Sequence, residues 1–112
     1  MKIQIYADGC NKKSIKNYLK TPLIKGFTTN PSILKNANVK SYKSFALELL
    51  KIVKKKPISF EVTADNFYDI YKQAKIISSW GKNVYVKIPI VNSKGESNVK
   101  IIKKLYNEKI KL

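Results

Sequence analysis

VYVKIP, residues 84–89, alternates in character: Val84 and Val86 fall on one side of an extended chain, Tyr85 and Lys87 on the other. Successive side chains of a strand point to opposite faces, so the lysine shares its face with the tyrosine. Three earlier β-rich runs keep the same beat. With Asn83–Ile88 the strand candidates are Lys2–Asp8, Leu23–Thr28 and Pro57–Thr63, and their polar sets are Gln4, Tyr6 and Asp8; Thr28 and Asn30; Ser59 and Glu61; Tyr85 and Lys87. Strands buried on both faces of an open, doubly wound sheet read as continuously apolar. These do not, and the alternation favours strands with one face against helices and the other around a polar interior.

Between the runs, apolar residues recur at helical spacing: Ile15, Tyr18 and Leu19; then Phe45, Leu49, Ile52 and Val53; then Phe67, Ile70, Tyr71, Ala74 and Ile77; then Ile101, Ile102 and Leu105 from about Ser97 onward. Asp65 or Asn66 is placed to cap the third helix. Lys109–Leu112 reads as the start of a fifth strand. The pattern predicts an α/β chain of parallel (β/α) units, about four of them, forming the first half of a TIM (β/α)8 barrel over residues 1–112. In that architecture the carboxyl ends of parallel strands form one rim, so Asp8, Asn30, Glu61 and Lys87 should converge at one mouth. An amine there, buried among apolar groups, would be held partly neutral and serve as a nucleophile toward a ketone.

Composition narrows the chemistry. With no histidine and the single cysteine Cys10, disulfide frameworks, Cys/His metal sites and histidine-based triads are excluded within these 112 residues, and no metal site is expected. Cys10 reads as a small loop residue. The net charge of +16 comes from 23 basic residues against 7 acidic ones. All the basic residues are lysines, with no arginine for bidentate contacts to guanine, so the charge reads first as a solvated surface without specific nucleic-acid recognition. Lys54-Lys55-Lys56 and Lys103-Lys104 fit helix ends, where cations complement the dipole. No run approaches the roughly 18 apolar residues of a membrane span, and a cytoplasmic location without membrane contact is expected.

GFTTNPS at 26–32, the glutamate of PISFEV at 57–62 and the lysine of VYVKIP together resemble the transaldolase family, in its compact branch with fructose-6-phosphate aldolase-like enzymes. TTNPS and VKIP, about sixty residues apart, are specific as a pair. The resemblance implies that Lys87 is the Schiff-base lysine, Asp8 the carboxylate that takes a proton from the substrate hydroxyl at carbon–carbon cleavage, and Glu61 the acid/base acting through a bound water. Asn30, with Thr28 beside it, would hold substrate hydroxyls. It implies transfer of a three-carbon dihydroxyacetone unit between sugar phosphates, as in the pentose phosphate pathway, without a cofactor. The glutamate at 61, where the aldolase branch tends to carry glutamine, points to transfer over simple cleavage.

Two features depart from the family pattern. Gly9-Cys10 stands where the family usually continues with Thr or Ser and then Ala, and the chain is about half of a barrel, lacking the arginine and other residues that grip phosphate. Two other readings stay open for residues 1–112: a lysine-rich polyanion-binding fragment, and an inactive half-barrel that assembles into a homo-oligomer. Four strands alone leave two sheet edges and an uncovered inward face, expected to carry Ile, Val and Tyr.

Overall fold

The alternating runs form four strands, each shorter than its sequence pattern: β1 (Ile5–Asp8), β2 (Ile24–Thr28), β3 (Ile58–Glu61) and β4 (Val84–Lys87). The computed structural model describes residues 2–9, 11–29, 31–32 and 41–112. Among the described residues the strands are followed in turn by the helices α1 (Lys12–Leu19), α2 (Tyr42–Ile52), α3 (Phe67–Ser78) and α4 (Val99–Asn107); Pro31 and Ser32 are also helical. Short polar side chains start the first three helices. Asn11 Oδ1 accepts from Lys13 and Ser14 N–H, Ser41 Oγ from Ser44 N–H, and Asn66 Oδ1 from Asp69 N–H. Each such cap satisfies backbone donors that the first turn leaves free. Of the two candidates at α3 it is Asn66 that caps, and Asp69 accepts back from its amide at 2.6 Å.

All three strand pairings are parallel, in the order β1-β2-β3-β4. A parallel sheet in sequential order with a helix after each strand is the pattern of the first half of a (β/α)8 barrel. The core lies between sheet and helices. Phe27, Ile58, Phe60, Val84 and Val86 from the strands meet Ile15, Leu49, Ile70, Ile77 and Leu105 from the helices, all at most 1% exposed. Burying each such side chain is worth about 1.5–3 kcal/mol.

The opposite face differs from the expectation that Ile and Val would share it. It carries Tyr6, Gly26, Thr28, Ser59, Glu61, Tyr85 and Lys87, and the β-branched residues of β3 and β4 point to the helices. The amphipathic helices offer a broad apolar surface, so the apolar positions of the strands turn toward them. The glycine of GFTTNPS has its reason here: a Cβ on Gly26 would stand 2.5 Å from Tyr6 Cε1 and 2.7 Å from the Pro57 carbonyl oxygen. The Tyr6 ring lies across β2 because position 26 carries no side chain.

Lys109–Leu112 forms no assigned strand, although Val86 N–H donates to the Lys111 carbonyl at 2.8 Å, so the chain has reached the free edge of β4. Lys109, in the left-handed region at φ 66°, turns it there: its N–H donates to Tyr106 O and Ile110 N–H to Leu105 O. This pair of bonds closes a helix C-terminus, a position glycine usually fills. A single ladder bond is too few to make these residues a strand.

Candidate active site

Register decides which rim residues meet. Asp8 pairs with Thr28, Thr28 with Ser59 and Ser59 with Tyr85, forming one level across the inward face. Two residues further up, Glu61 pairs with Lys87, and Lys87 Nζ lies 3.3 Å from Glu61 Oε2. The structure therefore brings the lysine and the glutamate together and sets Thr28 beside Asp8 a level below. Asn30 and Cys10 lie outside the described residues.

Lys87 sits where two hollows join. Above it an open groove of about 620 Å³ is lined by Glu61, Thr63, Asp65, Asn92 and Ser93. Below it a smaller hollow of about 290 Å³ is walled by Tyr6, Thr28, Ser59, Tyr85 and Leu112. Asp8 is exposed and lines neither. The sequence-based expectation that Lys87 is buried among apolar groups is not met: its side chain is 48% exposed, against 21% for Glu61. Val86 and Ile88 flank Lys87 in sequence but project to the other face, so they shield the helix side and not the amine. Ser59 Oγ, in the lower hollow, is buried with no hydrogen-bond partner among the described residues.

The frame behind the pair is aromatic. Tyr42, opening α2, donates its phenol hydrogen to the Glu61 backbone carbonyl at 2.8 Å, and its ring lies 6.3 Å from that of Phe60 and 5.8 Å from that of Trp80. Val62 N–H donates to the Lys87 carbonyl at 3.0 Å, so both backbones are fixed next to their functional side chains. Nothing in the sequence pattern marked Tyr42, because its partner is a backbone carbonyl 19 residues away. Burial pushes its phenol up to about 12 against the pull of its hydrogen bonds. A folded-state value above the unfolded 10.0 contributes stability that is complete below pH 10 and lost as pH rises through 12. Tyr42→Phe is expected to remove this part of the alkaline loss and to cost about 1–3 kcal/mol near neutrality, since the Glu61 carbonyl loses its donor. Denaturant titrations at neutral and alkaline pH check it, and an unchanged alkaline slope would assign the loss to other groups.

Two rim loops act as one. The carboxylate of Asp65, after β3, accepts from Ser93 N–H at 2.8 Å and from Ser93 Oγ, in the loop after β4, and these bonds hold its carboxyl below the usual carboxylate range. The second loop is closed internally, with Asn92 Oδ1 accepting from Lys94 and Glu96 N–H around Gly95 at φ 78°. Asn98, buried at its base, donates its amide to the Pro89 carbonyl. The arrangement offers an amine and a carboxylate in contact, under a rim whose loops are tied. Among the described residues no cluster of three or more Cys, Asp or Glu side chains is placed to hold a metal ion, and no helix is long and apolar enough to cross a membrane.

Comparison with known proteins agrees with this architecture. The family model described as Transaldolase/Fructose-6-phosphate aldolase matches residues 5–112. A probable transaldolase of Dehalococcoides mccartyi is 32% identical over 109 residues, covering 97% of this chain and 49% of that protein. One from Lactiplantibacillus plantarum is 31% identical over 109 residues, covering 97% and 48%. One from Thermoplasma volcanium is 33% identical over 110 residues, covering 96% and 47%. The chain thus spans about half the length of the curated relatives it matches.

Proposed function

The chain belongs to the Transaldolase/Fructose-6-phosphate aldolase family, and from that premise we propose that residues 1–112 are the N-terminal half of a barrel that transfers a dihydroxyacetone unit between sugar phosphates through a Schiff base on Lys87. The observation that carries this reading is the Lys87–Glu61 contact of 3.3 Å between register partners at the strand ends. In the proposed sequence Glu61 accepts the ammonium proton, directly or through a water, and the free amine attacks the ketone carbon. The same proton then returns to the carbinolamine hydroxyl, which leaves as water and gives the iminium. Asp8 takes the proton of the hydroxyl whose carbon becomes the aldehyde. The carbon–carbon bonding pair passes to the iminium, forming an enamine that attacks the acceptor aldehyde with the steps reversed. No cofactor enters, because the iminium is the electron acceptor. Thr28 and Asn30 are assigned the substrate hydroxyls, and the phosphate is assigned to the part of the barrel beyond residue 112.

The two carboxylates are tested in a complete barrel containing these residues. Asp8→Asn is expected to slow cleavage by about 10²–10⁴-fold, the usual reach of general acid–base catalysis, while the Schiff base stays trappable. Glu61→Gln is expected instead to slow formation and hydrolysis of the Schiff base, read by single-turnover trapping. Impairment of both variants at one step would reject the division of roles.

A further inference from the structure

The lysines are not evenly placed once the chain is folded. Connections that run from a helix back to the next strand lie at the end of the sheet opposite the reaction rim, and they carry Lys54 and Lys55 before β3, Lys82 before β4, and Lys109 and Lys111 after α4. All five are exposed, and among the described residues none is within ion-pair distance of a carboxylate. The carboxylate nearest to them in the chain, Glu108, is already occupied by Lys75 at 3.4 Å, Lys104 at 3.6 Å and the Tyr71 hydroxyl. At the opposite rim Asp8, Glu61, Asp65 and Glu96 supply negative charge.

Helix-dipole complementarity accounts for few of these lysines. That effect fades beyond the last turn, whereas α2 ends at Ile52, two residues before Lys54, and α3 ends at Ser78, four before Lys82. Lys56 is excluded for a different reason, because its ammonium donates to the Ile24 and Thr21 carbonyls and ties two connections together. The five lysines line two adjoining grooves of about 330 and 320 Å³ that share Lys82 and Lys111; four of the ammonium groups make no hydrogen bond among the described residues, and that of Lys111, still exposed, donates to the Lys82 carbonyl at 2.7 Å. Tyr85 borders the first groove, with Lys111 Nζ 5.7 Å from its ring centre.

We propose that this lysine-lined end is a binding surface for the sugar–phosphate backbone of single-stranded nucleic acid, without sequence preference. A row of point charges along a concave track matches phosphates spaced along a strand, and the tyrosine ring offers a stacking surface. Lysine without arginine supplies no bidentate reading of base edges. A flat bilayer would not enter the grooves, and an acidic peptide would leave the ring unused. The proposal rests on the placement of charge and not on the chemistry of Lys87.

Fluorescence anisotropy with a labelled oligothymidylate, titrated from about 50 to 200 mM salt, tests it. The triple variant Lys54→Gln/Lys55→Gln/Lys82→Gln is expected to reduce the slope of log affinity against log salt by about 2, at about 0.7 for each lost phosphate contact. The triple variant Lys13→Gln/Lys43→Gln/Lys72→Gln, exposed positions on α1, α2 and α3, removes the same charge and is expected to leave the slope nearly unchanged. Equal reductions in the two variants would overturn the proposal, since net charge alone would then suffice. So would tighter binding of the unaltered chain to phosphatidylserine vesicles, or to polyglutamate, at the same salt.

Discussion

With Lys87 replaced by methionine, a complete barrel containing these residues is expected to give no borohydride-trapped adduct with a ketose phosphate and to lose turnover by about 10⁴-fold or more, because no other group takes over the covalent step. In the unaltered protein the reduced adduct should map to Lys87 by mass spectrometry. Stability should hardly change. The ammonium is half exposed and its contact with Glu61 is a pair of the kind worth about 0–1 kcal/mol, so methionine removes a weak attraction and leaves the helix-side core untouched. An adduct on another lysine, or none in a folded unaltered barrel, would remove Lys87 from the mechanism. A large stability loss in Lys87→Met would contradict the geometry of the pair.

Residues 1–112 as an isolated polypeptide are expected to self-associate at micromolar concentration while keeping most of their helix and strand content. The layer between helices and sheet is complete, with Phe60, Leu49 and Leu105 fully buried, and this argues against a molten state. What remains uncovered is the inward face, where Tyr6 is 45% and Tyr85 38% exposed, and the two sheet edges. Among the described residues β1 has one neighbouring strand, and β4 has beyond β3 a single bond to Lys111. Unpaired edge groups beside exposed aromatic surface recruit another strand. Sedimentation should show species larger than a monomer. Hydrogen exchange should find amides of β2 and β3 protected throughout and those of β1 and β4 slowing as concentration rises. A monomer with β1 and β4 fully protected would mean that the half-barrel closes on itself.

The sequence by itself determined the order of strands and helices, the parallel (β/α) pattern and the family. Alternation and helical spacing are properties of neighbouring residues, and TTNPS with VKIP carries its signal in the chain's own letters. It also listed the polar members of each strand, since their shared face follows from the two-residue period. Only the tertiary structure decided the rest. Strand register, set by which apolar side chains reach the helices, made Glu61 the partner of Lys87 and left Asp8 a level below. Val86 and Ile88 suggest a buried Lys87, but burial depends on what lies across a face, and among the described residues the lysine side chain is left 48% exposed. The sequence offers no reason for Gly26; that reason lies in the Tyr6 ring packed over it, and Tyr42 is silent there because its hydroxyl meets a carbonyl 19 residues away. The grouping of Lys54, Lys55, Lys82, Lys109 and Lys111 is not legible in the sequence because the helix-to-strand connections are far apart in it, and a parallel sheet gathers those connections at one end.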